Sequence, residues 1–236
     1  MKPFQFKQFN ILQDKTAMKV GTDGVLLGAW ANLDFYPDSI LDIGAGTGLI
    51  ALMMAQRCDA ETIDAIELND AAYEQTVENF EASDWGDRLF CYHASLSEFT
   101  DEIDEKYDFI ISNPPFYTST YKELSEERAM ARHSESLTYA DLLESTSKLL
   151  SESGNCAFII PFEEEVDFLK IAAENQLYPN RITRVKGALN TAIKRSLLQL
   201  SFLKTEPIQS ELTLELSRHN YTEEYKILVQ DFYLKL

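Results

Sequence analysis

The chain has 236 residues, 45% hydrophobic and 25% charged, a globular composition that excludes wholesale disorder. Its 21 Lys and Arg stand against 39 Asp and Glu, a formal net charge of −18, so on average its surface repels polyanions. With no run near the roughly 18–20 apolar residues of a membrane span, no signal-peptide core and no CxxC pair among Cys58, Cys91 and Cys156, a cytoplasmic protein without a disulfide scaffold or metal site is expected.

The first 38 residues read as an extension. Its first twenty positions carry Lys2, Lys7, Lys15 and Lys19 against Asp14 alone, and a helix is predicted over about 23–31. Short β-rich runs follow at 39–43, 62–67, 88–93, 107–112, 155–161, 181–186 and 196–203, with helical stretches at about 48–57, 70–83, 139–151 and 162–175. This alternation predicts an α/β domain with a parallel sheet covered on both faces. The first four strands are short and mostly apolar, as burial on two faces requires. The linker 187–193 is too short for a crossover helix, so the last two strands are predicted to pair as an antiparallel hairpin at the end of the sheet. Thr138-x-x-Asp141 and Asn220-x-x-Glu223 read as helix caps, the second for a final helix near 221–233, and Gly154 suits a turn between helix and strand. Without repeats or a Pro/Ser linker, one domain is expected, with its core over 39–205 and a C-terminal strand and helix over 206–236.

The residues 40–48, Ile-Leu-Asp-Ile-Gly-Ala-Gly-Thr-Gly, end a buried strand in three alternating glycines and open a helix. Glycine permits the sharp turn and lets backbone approach a ligand with no Cβ in the way. The spacing misses the Gly-x-Gly-x-x-Gly dinucleotide fingerprint, and no Lys-Ser or Lys-Thr follows to make a phosphate-binding P-loop. The next strand ends in Ile66-Glu67-Leu68, where a carboxylate can accept both hydroxyls of a ribose. A nucleoside with an amino-acid tail and no phosphate fits these parts. That is S-adenosylmethionine, with Asp42, Gly44, Ala45, Gly46, Glu67 and Leu68 as its candidate contacts.

The fourth strand runs through Ser112 into Asn113-Pro114-Pro115-Phe116. Asn-Pro-Pro-aromatic downstream of a Gly-x-Gly-x-Gly loop resembles the amino-group methyltransferases that use S-adenosylmethionine. More narrowly, the segment 17–30, Ala-Met-Lys-Val-Gly-Thr-Asp-Gly-Val-Leu-Leu-Gly-Ala-Trp, is similar to the bacterial tRNA1(Val) adenine-N6 methyltransferases. The resemblance extends through residues 41–56 and the Asn113 motif to residues 221–234. It implies a Rossmann-like class I methyltransferase fold, mostly parallel and seven-stranded with an antiparallel last strand, and a tRNA adenine modified beside the anticodon.

The chemistry of the motif follows from its residues. An aromatic exocyclic amine is a poor nucleophile because its lone pair is delocalised into the ring. The Asn113 side-chain oxygen and the Pro114 carbonyl can accept its two N–H bonds and stabilise the charge that grows during attack. Proline holds these acceptors in place beforehand, and Phe116 offers a stacking face worth about 1–3 kcal/mol.

Ser95 follows the third strand where relatives carry an acidic residue that reaches the adenine amine, so weaker cofactor binding is expected. His93 at the same strand end reads as structural. Thr22 and Asp23 can meet the amino-acid end of the cofactor, and helix capping explains the same pair equally well. Between 176 and 205 six basic residues, including Arg181, Arg184, Lys186, Lys194 and Arg195, occur without an acidic one. With Lys19, Arg128 and Arg132 they are the candidate tRNA contacts; pairing of Arg128 and Arg132 with Glu123, Glu126 and Glu127 remains the alternative. A protein glutamine amide, DNA adenine, and a cofactor-binding scaffold without catalysis are the competing readings.

Overall fold

The computed structural model describes residues 2–16, 18–115 and 137–235. A small hairpin, β1 (Phe4–Gln5) with β2 (Asn10–Ile11), precedes helix α1 (Thr22–Trp30). There follow β3 (Ser39–Ile43), α2 (Leu49–Arg57), β4 (Thr62–Glu67), α3 (Asp70–Glu81), β5 (Leu89–His93), α4 (Leu96–Glu102) and β6 (Tyr107–Ser112). The second half holds α5 (Tyr139–Leu149), β7 (Leu150–Pro161), a 3-10 turn (Phe162–Glu164), α6 (Glu165–Glu174), β8 (Tyr178–Ala188) and β9 (Ile193–Ser201). It ends in β10 (Ile208–Ser217), β11 (Asn220–Tyr221) and α7 (Glu223–Val229).

Among the described residues the main sheet has nine strands in the order β11-β10-β8-β9-β7-β6-β3-β4-β5. Only β9 and β11 run against their neighbours. The seven-stranded methyltransferase sheet is present as β3 to β9, its seventh strand reversed, and β10 and β11 enlarge it. The predicted β8–β9 hairpin forms, but not at the end of the sheet. The apolar stretch Leu197, Leu198 and Leu200 is fully buried and needs cover on both edges, so β9 inserts between β7 and β8. β10 then pairs along β8 from Ile208↔Arg181 to Glu215↔Ala188.

Successive residues on each strand point to opposite faces, and both faces are buried. Ile40, Ile63, Phe109, Ile111 and Ile159 pack with α1 and α2 on one side. Leu41, Ile43, Ile66, Ile110 and Phe158 pack with α4, α5 and α6 on the other.

Three local readings change. Gly154 lies within β7, where an added Cβ would come within 2.8 Å of Leu150 and 3.0 Å of the Asp108 carbonyl; α5 ends earlier, at Leu149. The cap of α7 is Thr222, whose hydroxyl accepts from the Tyr225 amide, while Asn220 belongs to β11. Helix α4 escapes the sequence reading because its seven residues bury only Leu96 and Phe99, too few to show a period. Thr138 caps α5 as predicted, accepting from the Asp141 amide and donating to its carboxylate.

Candidate active site

Parallel strands bring their C-terminal ends to one rim, where α/β sheets bind ligands. On this rim stand the glycine loop after β3, Glu67 and Leu68 at the end of β4, and Asn113 after β6. In register Asp42 lies beside Ile111, so Gly44 and Asn113 come to the same level on adjacent strands. The Ser112 hydroxyl donates to the Ile43 carbonyl at 2.7 Å and ties the two strand ends together.

Gly44, Gly46 and Gly48 have φ of +78°, +61° and +74°, the left-handed region that other residues rarely enter. A Cβ at Gly44 or Gly46 would meet nothing within 4 Å, whereas one at Gly48 would fall 2.6 Å from the Phe80 ring. The first two glycines therefore face an open cradle, and the third lets α2 pack against α3. The Gly44 and Ala45 amides each donate to the Ile66 carbonyl at 3.0 Å, and the Gly46 amide donates to the Glu67 carboxylate at 2.9 Å. From α3, Thr76 donates to the Gly46 carbonyl and Asn79 to that of Thr47. Asn79 also exchanges hydrogen bonds with the backbone of Leu12. Gln75, Thr76 and Asn79 are all buried, and the sequence reading missed them because polar residues at helical spacing read as a solvent face.

Glu67 accepts once on each oxygen, the second time from the Asn69 amide at 2.8 Å, which leaves a lone pair on each for a ligand. Leu68 beside it is 51% exposed. His93 lies 3.1 Å from the Leu68 carbonyl and 2.9 Å from Asp70, and stacks on Tyr73, so its role is structural.

Asp42 is 1% exposed. One oxygen accepts from the Ala51 amide at 3.1 Å; the other, buried, has no partner among the described residues. Burial pushes its carboxyl up to about 7, with Glu67 repulsion adding to the rise and the Ala51 hydrogen bond opposing it. An unfolded aspartate ionises near pH 4, so the folded state holds this proton more tightly. The resulting stability is full below about pH 4 and is lost as pH rises towards about 7. Asp42→Asn is expected to flatten this decline by about 2–4 kcal/mol between pH 5 and pH 8 relative to the native chain, measured by urea unfolding.

Asn113 sits where β6 ends, with Pro114 buried behind it. Its side-chain oxygen is buried and has no hydrogen-bond partner among the described residues. Leaving such an acceptor unsatisfied costs about 1–3 kcal/mol.

Several residues expected to contact ligand or tRNA meet partners within the protein instead. Ser95 caps α4 in a full capping box: its hydroxyl accepts from the Glu98 amide and donates to the Glu98 carboxylate, which in turn accepts from the Ser95 amide. Its side chain thus serves the helix first, and Glu98 brings an acidic group to this place. Ser95→Ala is expected to lower stability by about 1 kcal/mol in chemical denaturation. Asp23 is paired with Arg195 at 2.8 Å, so its charge is already matched by the protein. Thr22 lines a groove with residues near the C-terminus, and the cap of α1 is Gly21, without a side-chain bond.

The basic hairpin is largely neutralised. Arg184 grips Glu165 with two nitrogens, and Lys186 pairs with Glu211 at 2.6 Å. Arg181 lies 4.4 Å from the Trp30 ring centre and donates to the Trp30 carbonyl, holding α1 on the sheet. These side chains are half-buried and find partners because β8 and β9 are interior strands, flanked by α1, α6 and β10. Lys15 is likewise paired, with Glu74 and Glu78. Lys19 and Lys194 are exposed. Phe116, Arg128 and Arg132 lie outside the described residues.

Residues 24–159 match the model of the methyltransferase small domain family. The chain is 62% identical to a tRNA1(Val) (adenine(37)-N6)-methyltransferase of Christiangramia forsetii, covering 100% of this chain and 99% of that one. It is 57% identical to a protein of the same name from Flavobacterium johnsoniae, covering 99% and 100%. Among solved structures it is similar to a predicted O-methyltransferase from Agrobacterium tumefaciens, with a TM-score of 0.67 over 89% of this chain and 96% of that one. Their 16% identity carries the fold alone.

Proposed function

The chain belongs to the methyltransferase small domain family and to the tRNA1(Val) (adenine(37)-N6)-methyltransferases, and on that footing we propose that Asn113 receives the adenine amine. The protein transfers a methyl group from S-adenosylmethionine to the N6 amine of adenine in tRNA, and adenine 37 of tRNA1(Val) is the nucleotide we assign to it. The observation that carries this reading is the buried, unpartnered oxygen of Asn113, an acceptor waiting for an N–H.

The residues present fit the cofactor. Gly44, Ala45 and Gly46 would hold its amino-acid end along the open cradle, and the remaining lone pairs of Glu67 would take the ribose hydroxyls. The exposed Leu68 would cover one face of its adenine, whereas the Ser95 hydroxyl, which donates to the Glu98 carboxylate and accepts from the Glu98 amide and from Ser97, is fully engaged by α4. Bound there, S-adenosylmethionine supplies a methyl group already activated on a sulfonium.

Asn113 and the Pro114 carbonyl would then accept the two N–H bonds of the target amine, directing its lone pair away from the ring and towards the cradle. Because the Ser112–Ile43 bond joins the two strand ends, the acceptor and the cradle are held in fixed relation, and alignment supplies much of the acceleration. Phe116 would stack on the base. Bases of an anticodon loop are already partly unstacked, so extruding one costs little.

Incubation with methyl-labelled cofactor and separate pools of tRNA, DNA and protein tests the assignment. Label is expected in N6-methyladenosine at position 37 of tRNA1(Val), and label recovered in a protein glutamine instead would overturn it.

A further inference from the structure

The rim that carries Gly44 and Asn113 continues past the site, because β8 and β10 run in the same direction as β6 and β7. Beyond the ends of β8 and β10, the first turn of α1 and the C-terminal helix enclose a groove of about 440 Å3. That is within the roughly 300–1,000 Å3 of small-ligand clefts. Thr22, Glu215, Tyr221, Tyr225, Tyr233 and Lys235 line it. The Tyr221 and Tyr225 rings lie 5.2 Å apart. Tyr225 is buried, whereas Tyr221 and Tyr233 remain partly open.

The basic side chains of the protein are of two kinds. Lys15, Arg184, Lys186 and Arg195 all have carboxylate partners. Lys194 at the start of β9, Arg218 after β10 and Lys235 in the groove are exposed and have no ion-pair partner among the described residues. On a chain of net charge −18, cations left unmatched beside an aromatic groove, on the rim of the active site, fit single-stranded nucleic acid.

We propose that this groove takes one unpaired nucleotide of the tRNA, a few positions from the methylated adenosine; the inference rests on the tRNA assignment above. Tyr221 provides the stacking face. The Glu215 carboxylate and the Thr22 hydroxyl meet an exocyclic amine on the edge of the base, and Glu215 repels phosphate from the floor. Lys235 takes a phosphate outside, with Lys194 at the start of β9 and Arg218 after β10 on the same rim. At about 4.8 Å per strand, the groove begins about 14 Å from β6 at β8 and extends to about 19 Å at β10, a span that a few splayed nucleotides cross.

Steady-state kinetics and filter binding with a tRNA1(Val) transcript test the proposal on the full chain. Tyr221→Ala is expected to raise the KM for tRNA about tenfold, and Tyr221→Phe to keep it near the native value. Exposed Lys235→Glu, which does not disturb packing, is expected to raise it several-fold and to reduce the salt dependence of binding by about one phosphate contact. The Kd for S-adenosylmethionine, measured without RNA, stays native in all three. If Tyr221→Ala and Lys235→Glu both leave the KM within about twofold of native, the groove binds no nucleotide. A native chain that methylates no tRNA would overturn the substrate assignment itself and this inference with it.

Discussion

Asn113→Ala is expected to lower kcat by about 10²–10³ while leaving the Kd for S-adenosylmethionine nearly native. The side-chain oxygen is buried and unpartnered among the described residues, so the fold gains nothing from it and bears its desolvation. An acceptor held in that state is stabilised only when a donor arrives, and its worth rises as the donor becomes more positive during attack. Removing it therefore affects the reaction more than the resting protein, and Asn113→Ala should unfold at the same or a slightly higher urea concentration than the native chain. Single-turnover methylation at saturating tRNA and cofactor checks the first part, and urea unfolding the second. Near-native turnover would remove Asn113 from the assigned role.

The glycine loop and the corner at Asn113 were legible because their backbone demands are local. Three glycines at alternating positions announce three left-handed residues, and they are present. Asn-Pro-Pro after an apolar strand announces a rigid corner at the end of that strand, and Asn113 stands there beside the glycine loop. Ser95-x-x-Glu98 is itself a capping-box pattern, and reading it as one would have revealed α4.

The ion pairs of Arg184 and Arg195 were hidden for the opposite reason. Asp23 and Arg195 are 172 positions apart and Arg184 meets Glu165 across α6, so a stretch without acidic residues in sequence is matched by acids from elsewhere in space. Position along the chain cannot show such pairing. The same holds for α3: Thr76 and Asn79 are polar because the loop they face has backbone carbonyls to satisfy, a demand visible only once the loop and helix are packed.

Glu67 separates binding from chemistry in the other direction. Its carboxylate fastens the Gly46 amide at 2.9 Å and the Asn69 amide at 2.8 Å, so it holds both sides of the cradle before any ligand arrives. In the role assigned to it, the remaining lone pairs accept the ribose hydroxyls through charge-assisted bonds of about 1.5–3 kcal/mol each. Glu67→Gln keeps the shape but loses the charge and, with a single oxygen, the acceptor of one of the two backbone amides, and is expected to raise the Kd for S-adenosylmethionine about 10–100-fold. Glu67→Ala also frees two backbone amides, and is expected to raise it by about 10³ and to destabilise the apo protein by about 1–3 kcal/mol. In both variants kcat at saturating cofactor should fall far less than in Asn113→Ala. Calorimetric titration separates the two functions of the carboxylate: if Glu67→Gln binds the cofactor as tightly as the native chain, Glu67 only tethers the loop, and the ribose must be held by other groups.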